Sequence, residues 1–299
     1  MAKATKFNFN VDKLKICFKQ NEETFNLFLP YKKEFEKENK PKFIDINRDG
    51  YTLRLFEIDE YSAKVNVIIE DEVLGMFTFN NSSRYEGLCF FKFENKALYT
   101  SLTYDVYYKK KVNLIPLIST IADDLDLTFN NITEIEVALD SNINVNAKVR
   151  KLIRNYKDFE MFQNGKRVKD PNRILENYHE TFKRNRKKII YPPTLYFEQA
   201  KNDAPLMRIY NKTEEINDNE NLKDYITKWN DFGKSDIHRV EVRLKSNSIK
   251  DYLKDIDRYP LDLLTDPVAL CSIWCNFVDR LVFFRDRDGQ NVTVADLIS

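Results

Sequence analysis

The sequence predicts an α+β protein in which antiparallel sheets carry helices packed on one face. Two observations lead to this prediction. The first hundred residues alternate apolar and polar side chains in short runs separated by turns, which is typical of half-buried antiparallel strands. Between residues 112 and 247 the patterns run helix, strand, helix, loop, strand, strand, helix, strand. This order fits helices layered on one sheet better than a doubly wound parallel sheet.

Length and composition indicate a folded globular chain with one large domain or two average ones. The chain has 299 residues, 42% of them hydrophobic and only 6 of them glycine, so a sizeable core can form. We expect a β-rich region over residues 1–111, an α+β core over 112–247 and a mainly helical portion over 248–299. These three could also form one compact unit.

The elements before the core are short strands followed by a helix. Alternation of apolar and polar residues predicts strands at KLKICFKQ, YTLRLFEI, AKVNVIIE, GMFTFN, LCFFKFE and ALYTSLTYDVYY. Residues 114–127 then place leucine and isoleucine at helical spacing along one stripe.

The core combines three strands with charged faces and a basic helix. NITEIEVALD predicts a strand that ends at Asp140, and residues 146–162 predict a basic amphipathic helix with an asparagine cap near its start. The polar stretch 165–191 predicts an exposed loop. TLYFEQ and LMRIYNKTEEI predict two strands, ENLKDYITKWNDF a short helix and HRVEVRLK a further strand, before a mainly helical portion that starts at Ser248.

Cysteine usage and the absence of long apolar segments predict a cytoplasmic protein. The four cysteines lack metal-binding spacing and are interpreted as reduced core residues: Cys17, Cys89, Cys271 and Cys275. The N-terminal stretch MAKATKFNFNVDK has no apolar signal region, and no window approaches the roughly 18 apolar residues of a membrane span. We therefore expect no membrane partner.

Charge is balanced overall but segregated along the chain. The formal net charge is +1, whereas residues 148–188 contain 14 Lys or Arg and 5 Asp or Glu, a local net of +9. Such a segment suits a polyanion such as the DNA backbone. The alternative is a solvated helix and loop. The candidate DNA contacts are Lys148, Lys151, Arg154, Lys166, Arg167, Lys183, Arg184, Arg186, Lys187, Lys188 and, from a neighbouring strand, Arg208.

Side chains of three strands could converge on one open sheet face. Alternation puts Glu136 and Asp140 on the polar face of the first strand, Tyr210 and Lys212 on that of the second, and Glu241 on that of the third. Carboxylates without a neighbouring histidine suit Mg²⁺ or Mn²⁺.

Chemistry at such a face would centre on the tyrosine. A tyrosine beside a cation could attack the phosphorus of a phosphodiester, and Lys212, Arg208 or Arg243 could stabilise the charge that develops. Spacing alone leaves a second interpretation open, because solvated strand faces with cross-strand ion pairs show the same alternation.

The three strands, taken in order, resemble the replication initiation factor family of rolling-circle plasmids and phages. In that family a strand ends in an acidic run that closes on aspartate, the next carries Tyr-(Asp/Asn)-Lys-x-x-Glu, and the last carries Arg-x-Glu-x-Arg. Here these are residues 136–140, Tyr210-Asn211-Lys212 with Glu215, and the strand that contains Glu241. The match covers roughly residues 130–250.

The resemblance implies a metal-dependent nickase. Family members cut one strand of an origin, keep the 5′ phosphate on tyrosine and leave a 3′ hydroxyl as primer. By this resemblance Tyr210 is the nucleophile, and the metal ligands are Glu136, Asp140 and Glu241. Lys212 and Arg243 are assigned to catalysis from their positions on the polar strand faces. It also implies host helicase and DNA polymerase as partners, and a homodimer.

Three other functions stay open. A conjugative relaxase would use the same chemistry on a transfer origin, a regulatory DNA-binding protein would keep the fold without catalysis, and a binding module would use the charged faces only as solvated surfaces. The class of nickases that holds its metal with a His-hydrophobe-His pair is excluded, since the chain has only His179 and His238, far apart in sequence.

Overall fold

The computed structural model describes residues 5–39, 41–101, 114–176, 194–198, 204–218, 222–256 and 259–298. Its strands are β1 (Phe7–Lys19), β2 (Ile44–Arg48), β3 (Tyr51–Ile58), β4 (Ser62–Ile69), β5 (Glu72–Asn80), β6 (Leu88–Phe93), β7 (Thr128–Ser141), β8 (Phe159–Gln163), β9 (Lys166–Arg167), β10 (Leu195–Glu198), β11 (Leu206–Asn211), β12 (His238–Lys245), β13 (Val282–Asp286) and β14 (Asn291–Thr293). Its helices are α1 (Glu22–Asn26), α2 (Lys32–Phe35), α3 (Asn95–Ser101), α4 (Leu114–Asp124), α5 (Val145–Arg154), α6 (Asn172–Glu176), α7 (Lys212–Asp218), α8 (Asp224–Asn230), α9 (Ser246–Leu253) and α10 (Pro267–Leu281), with 3₁₀ turns at Leu29–Tyr31 and Asp262–Thr265.

Strands and helices mix along the chain, which confirms the predicted α+β class. One sheet has ten strands in the order β10-β11-β12-β7-β1-β6-β5-β4-β3-β2, and a second has four in the order β14-β13-β8-β9. The chain divides into two compact units, the first made of Met1–Asn10, Glu136–Lys254 and Asp266–Ser299, the second of Val11–Ile135 and Asp255–Thr265. Among the described residues, no helix combines the length and apolar character needed to cross a bilayer.

The second unit has an antiparallel sheet with an aromatic core. Strands β1 to β6 pair in the order β1-β6-β5-β4-β3-β2, each with an antiparallel neighbour. The ring centroids of Phe77 and Phe91 lie 4.5 Å apart on neighbouring strands. Gly75 permits this packing, because a Cβ at that position would lie 2.5 Å from the carbonyl oxygen of Lys92.

The first unit builds the sheet that carries the candidate site. Strands β10, β11 and β12 pair antiparallel, and the core-facing residues of β11 and β12, among them Ile209 and Val240, are fully buried. The indole nitrogen of Trp274 in α10 donates to the carbonyl oxygen of Val240 at 3.0 Å. The side-chain amide of Asn146 in α5 donates to the carbonyl oxygen of Ile209 at 2.9 Å. These contacts tie α10 and α5 to the strands beside Tyr210.

The predicted helix over residues 146–162 is wrong in its second half. Helix α5 ends at Arg154, and its cap is Asn144, whose side chain accepts from the backbone N–H of Ala147. Strand β8 follows and turns into β9 through Asn164 and Gly165, both with positive φ. Asn-Gly favours two-residue hairpin turns of this kind, so the dipeptide was the signal that the helical interpretation overlooked.

Three other element predictions need correction. The stretch predicted as the strand ALYTSLTYDVYY begins within helix α3, and residues 102–113 lie outside the described part. The C-terminal portion ends in the hairpin of β13 and β14, which joins β8 in the smaller sheet. Strand β11 ends at Asn211, so Lys212 opens helix α7 and does not continue the strand.

Candidate active site

Tyr210 lies on the half-buried face of β11. Its neighbours Met207 and Ile209 point into the core, so alternation leaves Arg208 and Tyr210 on the opposite side. In the antiparallel register Arg208 faces Glu241 directly. Tyr210 is the diagonal neighbour of Glu241, a separation that a long aromatic side chain can span.

The hydroxyl of Tyr210 lies between an acid and a base. It donates a hydrogen bond to Oε2 of Glu241 at 2.9 Å and accepts one from Nζ of Lys212 at 3.4 Å. A free phenol titrates near pH 10. A carboxylate in position to take its proton and an ammonium in position to stabilise the phenolate are the two aids that such a nucleophile needs near neutral pH.

Lys212 is held in place by the turn from strand to helix. The side-chain oxygen of Asn211 accepts from the backbone N–H of Thr213 at 3.1 Å, which starts α7 and turns the chain away from the sheet. The backbone N–H of Lys212 donates to the carbonyl oxygen of Ile237 at 2.8 Å. The side chain of Lys212 is therefore directed by a helix start, and it is buried.

Glu215 balances the buried charge of Lys212. Nζ of Lys212 lies 2.6 Å from Oε2 of Glu215, one helical turn later, and Nζ of Lys223 lies 3.1 Å from the other oxygen. Burial alone would raise the pKa of Glu215, but the two ammonium groups outweigh it and hold that pKa below its usual value. A charged Glu215 thus supplies the counter-charge to the ammonium of Lys212 beside the tyrosine. The motif had drawn attention to Glu215, whereas Lys223 was missed.

Glu136 and Glu241 form a carboxylate pair beside Tyr210. An oxygen of each lies within 4.8 Å of the other, and both side chains are buried. The guanidinium of Arg208 contacts Glu136 at 3.3 Å and also forms an ion pair with Glu241. Burial acts to lower the pKa of Arg208, yet the two carboxylates raise it above its ordinary value. Two hard oxygen donors that already attract a cation fit Mg²⁺ or Mn²⁺.

Asp140 has different partners. Its two oxygens accept from Nε and Nη2 of Arg239 at 2.6 and 2.7 Å, and Asn230 donates to one of them at 2.8 Å. Asp140 and Arg239 are almost fully buried. The role of Asp140 as a metal ligand stays a prediction that this geometry does not favour, because both oxygens are engaged. Asn230 was missed, because a polar residue at the end of a short helix gives no sign of such a contact.

Arg243 lies two residues beyond Glu241 on the same face of β12. Its Nε is buried and has no hydrogen-bond partner among the described residues. His238, at the start of β12, is mostly buried, and burial lowers the pKa of its imidazole. The catalytic role of Arg243 stays a prediction. Arg243 and Tyr210 lie on the same face of the sheet.

The predicted DNA contacts fall into three groups. Lys148, Lys151 and Arg154 are exposed on α5, and Lys166 and Arg167 are exposed on the β8–β9 hairpin. Arg208, in contrast, contacts the carboxylate pair. The remaining five lie outside the described residues: Lys183, Arg184, Arg186, Lys187 and Lys188.

Fold and site together define an α+β protein in which a strand tyrosine lies between a buried glutamate and a buried lysine. No protein-family model matches the chain, and no curated protein matches it significantly. Among solved structures, a rolling circle replication initiator protein from Geobacillus stearothermophilus is similar, with 14% identity over 94% of this chain and 88% of that chain and a TM-score of 0.40.

Proposed function

We propose that the protein is a DNA strand nickase that starts rolling-circle replication of a plasmid or phage through a phosphotyrosine link. The observation that carries the proposal is the hydroxyl of Tyr210, which lies between Glu241 and Lys212. The order of the three strand motifs in the sequence and the exposed lysines and arginines of α5 support a DNA substrate.

The chemical step follows from the partners of Tyr210. Glu241 takes the phenolic proton, and the phenolate oxygen attacks the phosphorus of the scissile phosphodiester. The bond between phosphorus and the 3′ oxygen breaks, its electron pair stays on that oxygen, and a proton from Glu241 or water completes the 3′ hydroxyl. The 5′ phosphate remains on Tyr210. The reverse reaction, with the 3′ hydroxyl as nucleophile, reseals the strand.

Two cationic side chains stabilise charge during this step. Lys212 contacts the tyrosine oxygen and stabilises it as a phenolate, and Glu215 keeps Lys212 in position. Arg243 has an unsatisfied Nε on the same sheet face and is assigned to the phosphate oxygens. Preorganised donors of this kind account for factors of about 10²–10³ in rate when one is removed.

Glu136 and Glu241 are the residues that would hold Mg²⁺ or Mn²⁺. The two oxygens of Glu241 have separate neighbours, since Oε2 contacts Tyr210 and Oε1 faces Arg208. When bound, the cation would supply positive charge to the phosphate group undergoing transfer. The glutamates themselves orient Tyr210 and fix the position of positive charge.

The DNA would approach over α5 and the β8–β9 hairpin. Asn146 anchors α5 to the strand that carries Tyr210, so the exposed Lys148, Lys151 and Arg154 lie on an element attached to the site. The proposed substrate is a hairpin or single-stranded segment of an origin in the cytoplasm. Host helicase and DNA polymerase would extend the 3′ end, and a homodimer would supply a second tyrosine for termination.

A covalent-trapping assay tests the proposal. The protein is incubated with Mn²⁺ or Mg²⁺ and labelled single-stranded oligonucleotides tiled across the replicon that encodes it, and an SDS-resistant adduct is sought. We expect an adduct with one tile and none with Tyr210→Phe. Tyr196, which faces Arg208 from the neighbouring strand, provides the matched control, and Tyr196→Phe should retain the adduct. An adduct that survives Tyr210→Phe, or its absence with every tile, contradicts the proposal.

A further inference from the structure

Arg208 occupies the position where a divalent cation would be needed. Its guanidinium contacts both members of the carboxylate pair, Glu136 and Glu241. The exposed fractions of the side chains differ, 34% for Arg208 against 9% for Glu136 and 1% for Glu241. The carboxylates are therefore fixed within the sheet, whereas the side chain of Arg208 is partly exposed to solvent and has room to move away from them.

Electrostatics explains why a cation belongs there. Two carboxylates this close and this buried repel each other unless positive charge lies between them. An arginine can supply that charge with parallel N–H donors, and a divalent cation can supply it with direct oxygen ligation. Both cannot contact the same carboxylate oxygens at once, because like charges at that separation repel.

We propose that Arg208 and the divalent cation compete for Glu136 and Glu241, so that Arg208 sets the affinity for the cation and is released toward DNA when the cation binds. The inference rests on the proposed function in taking these glutamates as the metal ligands. A released guanidinium lies on the same strand face as Tyr210 and has the fork geometry that suits a phosphate. Arg208 thus acts as a positioning residue in the metal-free protein and a phosphate-binding residue in the loaded one.

Mn²⁺ binding, measured by electron paramagnetic resonance on the full chain without DNA, tests the competition. Arg208→Gln should bind Mn²⁺ about tenfold more tightly than wild type, the order expected when an ion pair to buried carboxylates no longer has to be broken. Arg280→Gln removes the same charge from an exposed position on α10 and should leave the affinity unchanged. Glu136→Gln should lose most of the binding, which locates the site. Thermal melting checks that each variant is folded.

The outcomes separate this inference from the nickase proposal. Equal or weaker Mn²⁺ binding by Arg208→Gln overturns the competition while the tyrosine assignment stands or falls with the adduct assay. Absence of Mn²⁺ binding in wild type and Arg208→Gln alike also overturns it, together with the metal part of the proposed function. A tenfold gain that Arg280→Gln reproduces would show a general charge effect and would equally overturn it.

A second measurement tests the release toward DNA. Binding of a labelled single-stranded oligonucleotide is compared for wild type and Arg208→Gln at saturating Mn²⁺ and in chelator. We expect the substitution to weaken binding severalfold with Mn²⁺ and to have no effect in chelator, where Arg208 is held by the glutamates. Equal losses under both conditions contradict the release.

Discussion

Two carboxylates of β7, four residues apart, meet very different surroundings. Asp140 is enclosed with Arg239, which grips both of its oxygens, and neither side chain is accessible to solvent. Glu136 shares Arg208 with Glu241, and Arg208 is one-third exposed. We call the first arrangement the closed pair and the second, with Tyr210, the open cluster.

The difference distinguishes charged residues that stabilise the fold from charged residues that are available for catalysis. In the closed pair every strong donor and acceptor has its partner inside the protein, since Arg239 binds Asp140 and also lies 3.8 Å from Glu241, and these charges hold β7 to β12. In the open cluster the cation can be exchanged, and the tyrosine hydroxyl lies at its edge. A reacting phosphate needs surroundings like those of the open cluster, because the charges of the phosphate must take the place of charges already present in the site.

The largest effect should come from breaking the closed pair. Asp140→Asn removes the carboxylate that accepts from Nε and Nη2 of the buried Arg239 and leaves it only the longer ion pair with Glu241, at 3.8 Å, so we expect a loss of about 3–5 kcal/mol in the free energy of unfolding. Chemical denaturation with matched slopes measures the loss.

The isosteric change on the same strand, Glu136→Gln, is its control. It should cost less than about 1 kcal/mol, since Arg208 keeps Glu241 and can be hydrated. Similar losses for the two variants would remove the distinction between closed pair and open cluster.

Lys212→Met should affect rate rather than fold. The methionine fills similar buried volume, but the tyrosine oxygen loses its ammonium, and we expect the rate of adduct formation to fall about 10²–10³-fold. The rate is measured by single-turnover trapping on the oligonucleotide that forms the adduct. If the rate falls by less than tenfold in a variant that melts like wild type, Lys212 is excluded from the chemistry.

Glu215 should make stability depend on pH in the acid range. Its pKa is lowered in the folded protein, so its stabilising contribution is present above the unfolded value near 4.3 and is lost as pH falls through the folded pKa. At pH 7 the free energy of unfolding of wild type should exceed that of Glu215→Gln by on the order of 1 kcal/mol. This difference should vanish in acid.

The neighbouring Glu214 provides a control of opposite sign. Burial raises the pKa of Glu214, so its charged form opposes folding at neutral pH. Glu214→Gln should therefore be at least as stable as wild type at pH 7, with the difference disappearing below the unfolded pKa. Urea unfolding at a series of pH values follows both variants, and parallel pH curves for the two would contradict the assignment.

The smallest effect concerns the exposed surface of α5. Lys151→Gln should lower DNA affinity modestly and reduce the slope of log affinity against log salt by roughly 0.7–0.9, the loss of one phosphate contact. Lys250→Gln, an exposed lysine on α9, is the control and should leave the slope unchanged. An unchanged slope for Lys151→Gln would indicate that the DNA binds to another face of the protein.

Much of the fold could be predicted because strand alternation is a local property. HRVEVRLK forms β12 over the same residues that the pattern indicated, and the α+β class is confirmed. The same alternation put Tyr210 and Glu241 on one face, and the hydrogen bond between them agrees with this. The alternation also predicts Lys212 beside Tyr210, but as a residue of the same strand. Lys212 instead reaches Tyr210 from the first turn of α7.

Depth was the property that the sequence could not supply. The charged residues of β12 suggested a solvated face, yet Arg239 and Glu241 are as buried as their apolar neighbours. Asn230 of α8 lies 90 residues from its partner Asp140 in the sequence, and Lys223, just before α8, pairs with Glu215 of α7. No local pattern predicts such pairings.

By itself, the sequence determined which residues alternate on a strand, where charge is segregated and that a tyrosine and carboxylates share the polar faces of strands. These are consequences of the two-residue period of a strand and of composition. Only the tertiary structure decided that Arg239 neutralises Asp140 while Arg208 lies across Glu136 and Glu241. The physical reason is that the cost of burying a charge depends on every neighbour that packing brings to it, and those neighbours come from the whole fold.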